Sequence, residues 1–149
     1  MLVINKQNDP KIIVIWLHGL GANSKDFISF IEILRMKNIE FILPDAPLIP
    51  ITINQGLRMP GWYDIISLDS DQHDTKGLKK SMEIVEDIIL NRLKTANEKI
   101  KICLIGFSQG AALSLFFAAQ SLIKIHGVIS LSGYIPIKKQ EEIDYKIPI

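Results

Sequence analysis

The sequence contains one cysteine and three histidines, and no apolar run near the ~20 residues that span a bilayer. A single cysteine excludes a disulfide framework and any cysteine-based zinc site, and points to a reducing compartment, the cytoplasm. The opening Met1–Asp9 does not have the layout of a signal peptide. Seventeen basic residues face sixteen acidic ones, and they form no stripe that could track a phosphate backbone. Neither a nucleic-acid partner nor an integral membrane segment is expected. What is left, 48% apolar and 22% charged over 149 residues, is the composition of one globular domain and not of a disordered chain.

Short β-branched apolar runs alternate with helical patterns, which reads as an α/β chain. Ile12–Leu17 is apolar without alternation, the mark of a strand buried on both faces. Phe27, Phe30, Ile31 and Leu34 fall at i, i+3, i+4 and i+7, one helix face that opens near an Asn23 or Ser24 cap. Ile39–Leu43 is the second strand. A long connection from Pro44 to about Thr75 is rich in Pro, Gly, Asn and Asp, and such a stretch is more often functional than idle. Leu78, Met82, Val85, Ile89 and Leu93 mark the stripe of a longer helix. Ile100–Ile105, the most hydrophobic strand, is expected at the centre of the sheet. A helix over Gln109 to Ser121 and a strand at Gly127–Leu131 follow, and the polar remainder ends on a fresh apolar start, Ile147-Pro148-Ile149.

Gly106-Phe107-Ser108-Gln109-Gly110 is a G-x-S-x-G sequence. Alone it is weak, since chance supplies roughly one per twenty chains of this length. Its setting strengthens it, because the motif directly follows a strand and opens a helix. Flanking glycines permit a turn too tight for side chains, so Ser108 Oγ projects from the sheet edge. The helix start offers free N–H groups to a developing oxyanion. The competing reading is a serine that caps its own helix. His18-Gly19-Leu20-Gly21 follows the first strand, and parallel strands joined by helical crossovers end on one edge. The Leu20 amide can therefore approach the same point as that of Gln109. Cys103 reads as a small core residue, and the lysines near Lys79 and Lys138 as solvated faces.

Four segments in order, VIWLHGLGANSKDF, LPDAPLIPITINQGLRMPGWYDI, IGFSQGAALSL and GVISLSGYIP, resemble the carboxylesterase/phospholipase family of α/β-hydrolases, which includes acyl-protein thioesterases. The resemblance runs from Ile12 to Ile149. It implies an α/β-hydrolase fold, a mostly parallel sheet with helices on both faces, here lacking the last strand–helix units. It also implies hydrolysis of carboxylic esters or acyl thioesters, with no cofactor or metal. By the same resemblance Ser108 is the nucleophile, the backbone amides of Leu20 and Gln109 are the oxyanion donors, and Trp62 lies beside the acyl cleft, with Leu20 contributing to its wall. Trp62 read as an aromatic that merely pins the loop to the sheet is the other option.

The family orders its triad Ser, Asp, His, and only His126 and Asp144 lie downstream of Ser108, in reverse order. His126 precedes its strand, so it sits at the opposite edge of a parallel sheet, ~17 Å away for five residues. Asp144 likewise precedes the last strand start. His18 belongs to the HGLG turn and His73 to a polar loop, and neither is expected as the base. The resemblance places the catalytic Asp a few residues past Ile149. The sequence therefore reads as a single incomplete domain over residues 1–149, with self-association or a complementing C-terminal fragment as expected partners. The reading that competes with a hydrolase is a non-catalytic remnant or binding fragment.

Overall fold

The computed structural model describes residues 1–67 and 74–136. In chain order its elements are β1 (Leu2–Ile4), β2 (Ile12–Leu17), α1 (Ile28–Leu34), β3 (Ile39–Leu43), β4 (Leu48–Ile51), β5 (Leu57–Pro60), α2 (Thr75–Leu93), β6 (Lys101–Phe107), α3 (Gln109–Gln120) and β7 (Gly127–Leu131). Five strands make one sheet in the order β1-β3-β2-β6-β7, parallel except for β1, which runs antiparallel to β3. From β2 the chain crosses through α1 to β3 in one direction, then through α2 and α3 to β6 and β7 in the other. Right-handed crossovers that reverse direction must put their helices on opposite faces. Accordingly α2 and α3 cover one face and α1 the other.

The β2 side chains show how the two layers are held. Ile13, Ile15 and Leu17 pack into one core with Leu78, Val85, Ile89, Leu113 and Phe117. Val14 and Trp16 point into a second core with Ile31 and Phe41. The centre of the described sheet is β2, not β6 as its hydrophobicity had implied; β6 lies between β2 and β7. Both strands are apolar on two faces, so composition alone could not rank them.

Two further differences have local causes. Helix α1 starts at Ile28 with Phe27 at its cap and no side-chain cap bond. Asn23 and Ser24 are occupied elsewhere: Asn23 forms a turn with Asp26 and Lys25, and the Ser24 amide donates to Asp45 Oδ1 at 2.8 Å. The long connection contains an antiparallel hairpin, β4 with β5, pairing Leu48 with Pro60 and Ile51 with Leu57. Prolines at 50 and 60 hide a strand pattern, because proline lacks the N–H a ladder needs and survives only where that donor is not used.

The α1 face of the sheet is partly bare. Phe30 and Leu34, expected on the buried stripe, are 52% and 42% exposed, while Ile129 on β7 is 54% exposed. Together with Trp16, Cys103 and Ile105 they line an open apolar groove of about 510 Å³. Cys103 is half-buried there, and burial pushes its thiol pKa up against a small opposing pull from Lys101. An apolar dye such as ANS is expected to bind the native chain in this groove, and Ile129→Lys to lower the bound fluorescence. An unchanged signal would locate the dye elsewhere.

Candidate active site

Strand β6 runs into α3 through Ser108, which holds φ 51° and ψ −114°. A non-glycine residue in that region is strained and stays there only if its surroundings fix it. They do so from three sides. The Ser108 N–H donates to the Leu131 carbonyl at the end of β7 at 2.8 Å, and its carbonyl accepts from Ala112 at 3.0 Å. The glycines on either side admit no side chain: a Cβ on Gly106 would lie 2.3 Å from the Gly110 carbonyl oxygen, and one on Gly110 would lie 2.3 Å from that of Leu17. The half-buried serine makes no side-chain cap bond to α3, so its Oγ is not spent on the helix.

The HGLG turn leaves the end of β2 beside this elbow. A Cβ on Gly19 would sit 3.6 Å from that of Ser108. Gln109 opens α3, so its amide has no intrahelical acceptor. Neither its N–H nor that of Leu20 donates to a backbone carbonyl outside the regular elements of the described structure. The turn itself is fixed by the buried His18. Its Nδ1 lies 2.8 Å from the Gly19 oxygen and its Nε2 accepts from the Ala46 N–H at 3.0 Å. A ring nitrogen that accepts carries no proton, so Nδ1 is the protonated donor and both nitrogens are used. His18 has no atom left to serve Ser108.

Trp62 is 1% exposed, with its ring 5.2 Å from that of His18. Its indole N–H donates to the His18 carbonyl at 2.8 Å. It therefore pins the loop to the turn, while the half-buried Leu20 side chain packs on Gly61. Nothing in the sequence position of Gln109 signals the role of its side chain. It is 1% exposed; its Oε1 accepts from the Trp62 N–H at 2.9 Å and its Nε2 donates to the Tyr63 carbonyl at 2.7 Å. Ser81 Oγ donates to the Trp62 carbonyl. The Tyr63 hydroxyl lies 2.6 Å from that of Tyr134, and burial, reinforced by this contact, pushes its pKa far above the ordinary tyrosine value.

No described histidine serves Ser108. His126 is exposed at the far edge, with its Nδ1 accepting from the Ile102 N–H at 3.1 Å at the start of β6. His73 and Asp144 lie outside the described residues, as do Lys138 and the apolar stretch 147–149. Among the described residues no group of three His, Cys, Asp or Glu side chains could hold a metal ion, and no helix is long and apolar enough to cross a membrane.

The strand–serine–helix elbow with a glycine turn beside it has counterparts among known proteins. The phospholipase/carboxylesterase family model matches residues 1–146. The chain belongs to that family. It is 43% identical over 132 residues to acyl-protein thioesterase 1 homolog 1 of Dictyostelium discoideum, a match covering 83% of this chain and 58% of that protein. Acyl-protein thioesterase 1 of Gibberella zeae is 38% identical over 136 residues, covering 85% and 58%. The crystal structure of Zea mays acyl-protein thioesterase 2 superposes with a TM-score of 0.79 at 30% identity, over 89% of this chain and 61% of that one. The α/β-hydrolase fold expected from the sequence is thus the fold of this chain. It spans somewhat under two thirds of the length of these relatives.

Proposed function

We propose that Ser108 is the nucleophile of a hydrolase for carboxylic esters or acyl thioesters, with the Leu20 and Gln109 amides as its oxyanion donors. The observation that carries this reading is the uncapped Ser108 held at positive φ between β6 and α3, beside the HGLG turn. Serine Oγ would add to the acyl carbonyl and give up its proton to a base. The tetrahedral oxygen would be held by the two amides. Collapse would expel an alcohol or thiol that takes the proton, and water would then release the acid by the same sequence. Leu20, Ile49 and Ile51 meet around Gly61, an apolar cluster that favours an apolar acyl group, and the family relatives named as thioesterases support this class of substrate. The single thiol is consistent with work in the cytoplasm.

In this proposal none of His18, His73 and His126 is the base, which is supplied by a group outside these 149 residues. Without one, the serine is not activated at neutral pH; in subtilisin the loss of the histidine lowers kcat by about 10⁶. The purified 149-residue chain and Ser108→Ala are therefore expected to hydrolyse p-nitrophenyl butyrate at equal background rates. Adding the part of the Dictyostelium relative that has no counterpart here should produce turnover that Ser108→Ala abolishes. Turnover above background that survives Ser108→Ala would sink the proposal. A second reading, a non-catalytic binding fragment, is favoured by the absence of a base among the described residues together with the open groove beside α1. Continued inactivity after complementation would support it.

A further inference from the structure

Residues 60–63 touch the elbow and the HGLG turn at once. On one side the Gly21 N–H donates to the Pro60 carbonyl at 2.8 Å and the Trp62 indole donates to the His18 carbonyl. The Leu20 side chain packs on Gly61, where an added Cβ would lie 3.1 Å from Leu20 Cδ1. On the other side the Gln109 side chain grips the Trp62 N–H and the Tyr63 carbonyl. A continuous path results: Gln109 amide, Gln109 side chain, residues 62–63, His18 carbonyl, Leu20 amide. The three links made by Trp62 and Gln109 are buried, where an unmade hydrogen bond is most unfavourable.

We infer that the Gln109 side chain, acting through the 60–63 strap, sets the separation of the Leu20 and Gln109 amides, so that Gln109 and Trp62 are positioning residues for the oxyanion site. The inference rests on the proposed role of those two amides. A strap that only anchored a loop would need one of these bonds. Bonding to both donor-bearing segments is what fixing a separation requires, and a misplacement of about 1 Å in such a site can lower rates 10²-fold.

Amide NMR of the 149-residue chain tests this without any turnover. Gln109→Met keeps side-chain length and removes both polar groups. It is expected to speed exchange of the Trp62 amide about 10-fold or more and to shift the Leu20 amide resonance, although the Gln109 side chain makes no hydrogen bond to Leu20. Trp62→Phe removes the indole bond and part of the ring packed on His18, and should speed exchange of the Leu20 amide as well as shift its resonance, while the amide at position 62 stays protected by Gln109. Amides of β1 and β3 should not move in either variant, which verifies the fold. If Gln109→Met does not fold, Trp62→Phe decides alone. An unmoved Leu20 resonance in the folded variants would overturn the inference and leave the strap as a loop anchor. Failure of Ser108-dependent hydrolysis in the earlier experiment would remove the proposed reaction and leave these shifts as they are.

Discussion

Replacing Gly110 with alanine is expected to destabilise the folded chain by about 3 kcal/mol or more. Two effects compete. Alanine is the better helix former, by ~1 kcal/mol in a helix interior, and Gly110 lies within α3. Against this, the new methyl carbon would stand 2.3 Å from the Leu17 carbonyl oxygen and 2.6 Å from that of His18. These are backbone atoms of the central strand and its turn, not the ends of flexible side chains. Relief requires α3 to shift by roughly 1 Å, which would part it from the strand against which Ala112, Leu113 and Phe117 are packed. The steric effect dominates because a cooperative core has no cheap local adjustment. Urea unfolding followed by circular dichroism measures it as a lowered midpoint. A midpoint at or above that of the parent chain would mean that α3 is not seated on the end of β2.

The same contact explains how much of the site the sequence discloses. Gly106 and Gly110 are legible because one physical demand, backbone packed on backbone, admits one residue type, and the apolar run before them and the helical run after them give the turn its setting. Strands β3 and β7 fall on the residues their β-branched runs marked, and β2 does also. The strap was not legible. Its anchors are bonds over 44 to 47 positions, between a glutamine at a variable place in the motif and the backbone of residues 62 and 63. No local periodicity encodes them. The β4–β5 hairpin is hidden by its prolines, and the short β1 by its length of three residues. The missed features are those in which a polar side chain or an edge position overrides a pattern of apolar spacing. Glu40 differs from these: the strand that holds it was legible, but its partner Arg92, 52 positions away, was not.

Arg92→Ala is expected to destabilise the chain by about 3–5 kcal/mol at neutral pH, far from Ser108. Glu40 is 1% exposed, and Arg92 meets it with Nε on Oε1 at 2.7 Å and Nη2 on Oε2 at 3.2 Å. The Gln7 N–H donates to the same carboxylate at 3.1 Å, and Arg92 returns a bond to the Gln7 carbonyl at 3.1 Å. Burial pushes the Glu40 pKa up, but the bonds from Arg92 and Gln7, with the charges of Arg92 and Lys6, outweigh it and leave the pKa below the ordinary glutamate value. The sign follows from linkage. A carboxyl with a lowered folded pKa gives stability that is present above its unfolded pKa of ~4.3 and lost as pH falls through the folded value. Without Arg92, burial is the dominant influence, the folded pKa rises, and protonation then relieves the variant. The gap in Tm between the parent chain and Arg92→Ala should therefore narrow steadily from pH 7 to pH 4. Glu40→Met combined with Arg92→Met removes both charges and keeps the volume, and should lose much less than either truncation implies. A gap that stays constant with pH would show that Arg92 contributes by packing its stem and not through the carboxylate.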